Sequence, residues 1–123
     1  MIRALIVDDE VNIARTLERT LNIAFSGQMD IETCNTAERA LQLLTTKSFH
    51  LLISDWHLPG ISGVVLISRA RRMHPDIRIV FTTASPNADL EERIRSVADV
   101  YMVKPFKAAE LAQQIQTMLG EIS

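Results

Sequence analysis

Carboxylates collect in this sequence where apolar runs break off. LIV at 5–7 is followed by Asp8, Asp9 and Glu10, and LLIS at 51–54 by Asp55. Two further apolar runs end in different chemistry: RIVFT at 78–82 gives way to Thr83 and Ala84, and VYMV at 100–103 to Lys104 and Pro105. If these run ends meet in space, three carboxylates share one site with a hydroxyl and an ammonium. Two carboxylates ~4 Å apart repel by about 4 kcal/mol in a surface-like dielectric, so the group must take up protons or recruit a cation. Oxygen ligands with no His or Cys partner select a hard divalent ion such as Mg2+. The compact charge of Lys104 suits a phosphoryl oxygen. A carboxylate beside a metal and a lysine therefore has the parts to accept a phosphoryl group as an acyl phosphate.

Whether the run ends meet depends on the elements that carry them. Five short runs rich in β-branched and bulky residues read as strands: 3–7, 29–34, 51–54, 78–82 and 100–103. RALIV and LLIS are nearly all apolar, as expected of strands covered on both faces. MDIETC at 29–34 alternates, which places it at an edge. Helical spacing fills the intervals. Ile13, Leu17 and Leu21 mark a first helix, stopped by Gly27. Asn35 with Glu38 reads as a capping box that opens a second, with Ala37, Ala40, Leu41 and Leu44 on one face. Val64, Ile67 and Ala70 mark a third ended by Pro75, and Gly60-Ile61-Ser62-Gly63 is the turn into it. Leu90, Ile94 and Val97 mark a short fourth, and Leu111, Ile115 and Met118 the last. A strand every 22 to 27 residues is the span of a strand, a crossover helix and two loops. The pattern is (βα)5, an α/β doubly wound parallel sheet for which the flavodoxin-like order 2-1-3-4-5 is the common winding. In such sheets ligands bind at the carboxyl ends of the strands, at the switch point between the first and third.

Composition narrows the partners. The 123 residues suit one domain, 1–123, and 47% hydrophobic with 23% charged residues gives a chain that can bury a core. Thirteen basic against fifteen acidic side chains, net charge -2, argue against general binding to nucleic acid or a membrane surface. One cysteine, Cys34, fits a reducing compartment, and no run approaches a membrane span or a signal peptide, so a cytoplasmic protein is expected.

With those residues in place the chain resembles the receiver domains of two-component response regulators, from Ile2 to about Leu119. The resemblance rests on LIVDDE, DWHLPGISG, TTAS and YMVKPF, four motifs in order at successive strand ends. It implies that Asp55 accepts a phosphoryl group from a sensor histidine kinase or phosphotransfer protein. It further implies that Asp9 binds Mg2+ directly and Asp8 mostly through water, with Asp55 and the backbone carbonyl of His57 completing the protein ligands. Lys104 would pair with the incoming phosphoryl group and Thr83 would hydrogen-bond it. Tyr101 would then turn inward and change the surface of the fourth helix, fifth strand and fifth helix, which a downstream effector protein or domain would read. A cis peptide between Lys104 and Pro105 is implied too. Phosphorylation-dependent dimerisation through the last helices is a further property the family includes. The protein would then be a signalling domain rather than an enzyme acting on other substrates.

Some positions depart from the pattern. His57 stands two past Asp55, where the family often has methionine, asparagine or arginine, and Ser85 is small two past Thr83. Val97 replaces a usual glycine, and Lys107 a short polar cap. Bland readings compete as well: an Asp pair at a strand end can simply cap a helix, Thr83 can satisfy a turn, and an aromatic such as Tyr101 can be packing. Trp56 reads as an anchor or a ring lining the mouth of the site, His50 and His74 as surface or loop residues. Arg69, Arg71, Arg72 and Arg78 read as a solvated basic face. Two other functions compete. A small Mg2+-dependent aspartyl-phosphate phosphohydrolase would want an acid where His57 stands. A flavodoxin-like cofactor module would want a phosphate loop where Asp8-Asp9-Glu10 stands. No output domain is expected within these residues, which leaves open a stand-alone receiver or part of a longer regulator.

Overall fold

The computed structural model describes residues 1–120. Strands β1 (Ile2–Val7), β2 (Met29–Cys34), β3 (Leu51–Asp55), β4 (Arg78–Thr83) and β5 (Val100–Val103) alternate with helices α1 (Val11–Ala24), α2 (Ala37–Thr46), α3 (Gly63–Met73), α4 (Ala88–Ile94) and α5 (Ala108–Gly120). The sheet is parallel throughout, in the order β2-β1-β3-β4-β5. The (βα)5 expectation and its winding are thus observed, with β2 at an edge as its alternation predicted.

Strand pleating sorts the apolar runs into two cores. Leu5, Val7, Leu52, Ile79 and Phe81 face α2, α3 and α4, where they meet Ala40, Leu44, Leu66, Ile67, Leu90 and Ile94. Ala4, Ile6, Leu51, Ile53 and Val80 face α1 and α5, against Leu17, Leu21, Leu111 and Ile115. This double coverage is why β1 and β3 have no polar alternation. The β4 run resists the same reading only at its end, where buried Thr82 and Thr83 approach the site. β5 is the second edge, and its apolar VYMV is only half buried.

Several boundaries differ from the sequence reading, each for a local reason. α1 ends three residues before Gly27: the Gly27 amide donates to the Asn22 carbonyl (3.0 Å) and that of Ser26 to Ile23 (3.2 Å), with Ser26 itself in the left-handed region at φ 51°. The capping box at Asn35 does not form. Thr36 is the N-cap of α2 and accepts from the Arg39 amide at 3.1 Å, which frees Glu38 for a contact outside its own helix. α4 stops at Ile94, so Val97 lies past the helix; its amide donates to the Ile94 carbonyl, and its own carbonyl accepts from Arg71. Asp55 and Thr83 are the last residues of β3 and β4 rather than the first beyond them.

The arginine cluster is not one solvated face. Arg71 (3.0 Å) and Arg78 (3.5 Å) both pair with Asp99, whose carboxylate also accepts from the Ile79 amide at 2.8 Å. Asp99 thus ties α3, the start of β4 and the approach to β5 at the sheet end away from the candidate site. Arg69 and Arg72 remain on the α2–α3 surface beside Leu41 and Met73. The histidines have specific partners: His50 Nδ1 accepts from the Arg3 amide (3.0 Å), and His74 Nε2 lies 2.7 Å from the Leu44 carbonyl, joining the ends of α2 and α3.

Candidate phosphoacceptor site

The carboxyl ends of β1, β3, β4 and β5 bring Asp8, Asp9, Asp55, Thr83 and Lys104 together. Register explains the meeting. Val7 is opposite Ser54, Asp55 opposite Thr82, and Thr83 opposite Val103, so the residue that leaves each strand arrives at nearly the same height. One carboxylate oxygen from each of Asp8, Asp9 and Asp55 lies within 4.8 Å of the others. Asp8 and Asp55 are buried and Asp9 is exposed, so the trio opens to solvent on one side.

Lys104 is the counter-charge. Its Nζ lies 2.9 Å from Asp8 Oδ2 and 3.3 Å from Asp55 Oδ2, with its side chain only 11% exposed. Its amide donates to the Thr83 carbonyl at 2.7 Å, and the peptide that follows, to Pro105, is cis as the resemblance implied. Burial pulls the Lys104 ammonium down, but Asp8 and then Asp55 outweigh it and hold the group above the ordinary lysine range. Asp55 moves upward as well. Burial is the main cause, the negative charges of Asp8 and Asp9 add to it, and Lys104 offsets only part.

The remaining lone pairs show what the site is short of. Asp8 Oδ1 accepts from the Glu10 amide at 2.9 Å, which turns the chain into α1. Asp55 Oδ1, by contrast, is a buried oxygen without a hydrogen-bond partner. An ionised carboxylate oxygen out of water needs a donor or a cation. The donor set is all oxygen and carries three negative charges against one lysine, which fits a hard divalent cation such as Mg2+. Cys34 adds no soft ligand or nucleophile, since burial pushes its thiol up to about 11.

Thr83 is fully buried, and its Oγ1 accepts from the Ser85 amide at 3.0 Å. The turn reading of Thr83 therefore holds, and its hydroxyl proton is still available for a second partner. Tyr101 packs against the cluster that contains Leu90 and Ile94, with its hydroxyl buried and unpartnered. Burial first, and then the charge of Glu91, raise its phenol above the usual tyrosine value. His57 is exposed, and its ring tilts against that of Trp56 at a centroid distance of 4.7 Å. Trp56 is partly buried and anchors the loop that leaves Asp55, its amide donating to Thr82 at 2.9 Å.

Some supporting residues escaped the sequence reading. Gly63 has to be glycine because a Cβ there would collide with the Asp55 carbonyl and come within 2.9 Å of Trp56 Cα, so α3 begins pressed against the end of β3. The doublet of hydroxyls under the site was also missed: Ser54 Oγ donates to the Asp55 carbonyl (3.1 Å) and Thr82 Oγ1 to the Ser54 carbonyl (3.5 Å). A cleft of about 590 Å³ opens beside Lys104, between α1 and the β5–α5 connection, floored by Ile13, Leu17, Pro105 and Phe106. Only its position, next to a residue named for chemistry, could have signalled it in the sequence.

Comparison with known proteins converges on this geometry. The family described as Response regulator receiver domain matches residues 4–116. A probable transcriptional regulator, ycf27 of Cyanidium caldarium, is 36% identical over 119 residues, which are 96% of this chain and 46% of that protein. Response regulator protein FleR of Pseudomonas aeruginosa is 33% identical over 122 residues, 98% of this chain and 25% of that one. The chain thus spans half or less of these curated relatives. Among solved structures, a CheY-like receiver domain from Methanospirillum hungatei superposes with a TM-score of 0.90 at 25% identity, covering 98% of this chain and 95% of that one. Response regulator TrrA of Thermotoga maritima, solved in complex with Mg(2+)-BeF, has a TM-score of 0.82 at 31% identity, covering 96% and 99%. With the family matched over most of its length and the acidic strand ends in register, the chain belongs to the response regulator receiver domains of two-component systems.

Proposed function

We propose that Asp55 accepts a phosphoryl group from a phosphohistidine donor, with Mg2+ held by Asp8, Asp9, Asp55 and the His57 carbonyl. The observation that carries this reading is the buried, unpartnered Oδ1 of Asp55, on a carboxylate whose other oxygen lies 3.3 Å from Lys104 and which clusters with Asp8 and Asp9. In the transfer an Asp55 oxygen forms the new P–O bond as the P–N bond of the donor breaks, and the imidazole leaves with the electron pair. Held by Asp8, Asp9, Asp55 and the His57 carbonyl, Mg2+ would supply the positive charge that offsets the clustered carboxylates and the incoming phosphoryl group. Lys104 moves from Asp8 and Asp55 toward the arriving oxygens, where its positive charge is fixed in place. Asp55 suits the attack because burial and its acidic neighbours make its oxygen more basic than an ordinary carboxylate.

Once the group is in place, the Thr83 hydroxyl can donate to it, which draws the β4–α4 segment inward and alters the space beside Tyr101. The α4–β5–α5 surface then presents the signal to an effector protein or domain. The apolar cleft beside Lys104 gives a donor protein a seat next to the acceptor. The cytoplasm is the compartment that fits this chemistry; among the described residues no helix is long and apolar enough to cross a membrane.

The test is a titration with Mg2+ and then a small acyl-phosphate donor, followed through Trp56 fluorescence, with Asp55→Asn alongside. A metal-dependent change that the donor extends, absent in the variant, together with stoichiometric labelling, is expected. Full labelling of Asp55→Asn overturns the assignment. Multiple turnover of a phosphomonoester would favour a phosphohydrolase instead.

A further inference from the structure

The loop at residues 56–62 leaves the acceptor and would carry the His57 carbonyl to the metal. Its two ends are fixed by backbone contacts: Trp56 donates to Thr82 at 2.9 Å and Gly63 to Trp56 at 3.1 Å. The middle is held differently. Among the described residues, the Ile61 amide is the one between His57 and Ile61 that finds an acceptor, and that acceptor is Glu38 Oε1 at 3.3 Å. Glu38 sits in the first turn of α2, on a neighbouring crossover 23 residues earlier. The same carboxylate occupies the space where a Cβ at residue 60 would lie, and Gly60 has φ +79°. So the loop turns in the left-handed region just where Glu38 reaches it, and a larger residue there would expel the carboxylate.

This contact is not part of α2's own capping. Thr36 already caps the helix through the Arg39 amide, and Glu38 forms no reciprocal bond to it. A carboxylate in a first turn is favoured by the helix dipole, yet that effect alone does not aim it at another loop. We propose that Glu38 is a positioning residue: it holds the loop leaving Asp55 in its metal-binding conformation and thereby strengthens Mg2+ binding at the Asp8–Asp9–Asp55 trio. This rests on the phosphoacceptor reading. In the free protein an untethered loop samples other conformations, and the population competent for metal falls by the fraction lost.

The test compares Glu38→Ala, Glu38→Gln and Thr36→Ala, each in the full chain. Mg2+ affinity is read by Trp56 fluorescence and calorimetry, and exchange of the Ile61 amide is followed in metal-free protein. Glu38→Ala should bind Mg2+ about fivefold more weakly, the scale of one hydrogen bond, with faster Ile61 exchange. Glu38→Gln keeps an acceptor oxygen and should stay near wild type in both readouts. Thr36→Ala weakens the same helix end without touching the loop and should leave Mg2+ affinity unchanged. Wild-type affinity in Glu38→Ala overturns the proposal while leaving the phosphoacceptor reading intact. Equal loss in Glu38→Gln, or in Thr36→Ala, also overturns it, in favour of a charge effect or of helix stability. A wild-type protein that binds no Mg2+ by either method would instead sink the phosphoacceptor reading and this proposal with it.

Discussion

Lys104 stands closer to Asp8, at 2.9 Å, than to Asp55, at 3.3 Å, so before any phosphoryl group arrives the ammonium is parked mainly on a carboxylate of the proposed metal site. On the proposed reading, metal and lysine would compete for Asp8. Mg2+ should release Lys104 toward the acceptor at the moment a phosphoryl oxygen needs it. Lys104→Met removes the only positive side chain in contact with the trio among the described residues. Its metal-free form should melt below wild type, because two buried carboxylates are left without a counter-charge. The rise in Tm on adding Mg2+ should be larger than in wild type, while labelling by acyl phosphate falls by at least tenfold. Thermal melts with and without the ion check the first part, and a labelling time course the second.

The raised Asp55 gives a pH dependence with a definite sign. Its folded value lies above its unfolded one, so between the two the native state holds the extra proton. Stability then declines as pH climbs through that window, from the ordinary aspartate range upward. In metal-free protein, wild type should lose stability relative to Asp55→Asn over this interval, and saturating Mg2+ should abolish the difference in slope. Urea denaturation of both proteins at several pH values decides it; a flat difference would contradict the burial account.

Thr83→Ala deletes a hydroxyl whose oxygen now holds the Ser85 amide. The variant should still accept phosphate at Asp55, since Lys104 and the carboxylates are untouched, but the change around Tyr101 should be lost. Amide shifts across α4 and β5, measured with a stable phosphoryl mimic, should spread in wild type and stay local in the variant.

The cleft beside Lys104 separates protein donors from small ones. Thr16 is exposed on the α1 wall, so Thr16→Arg fills the opening without disturbing the core. Transfer from a phosphohistidine protein should slow by about tenfold, the scale of one well-packed contact. Labelling by acyl phosphate should be unchanged. Equal effects on both donors would mean that the cleft is no docking seat.

Asp99→Ala tests the far end of the sheet. It strips an acceptor from the Ile79 amide and a partner from Arg71 and Arg78, which should cost about 2 kcal/mol in urea denaturation. Mg2+ binding should be preserved, because the clamp lies at the opposite strand ends from the acidic trio.

The residues of the candidate site could be read because strand and helix periods are local and the acidic, hydroxyl and ammonium groups sit where those periods break. Asp8, Asp9, Asp55, Thr83 and Lys104 needed only the rule that parallel strands present their carboxyl ends together. What folding alone decided are contacts between segments with no shared pattern. Glu38 looked like half of a capping box, yet a one-residue shift to Thr36 sent its carboxylate to Ile61. Arg71 and Arg78 looked like a basic face, but Asp99, twenty or more residues later, gathers them. Gly63 looked like any turn glycine until the Asp55 carbonyl came to lie against it. Periodicity reports which face of an element is buried, whereas the partner across a loop depends on distances set only once both cores have packed.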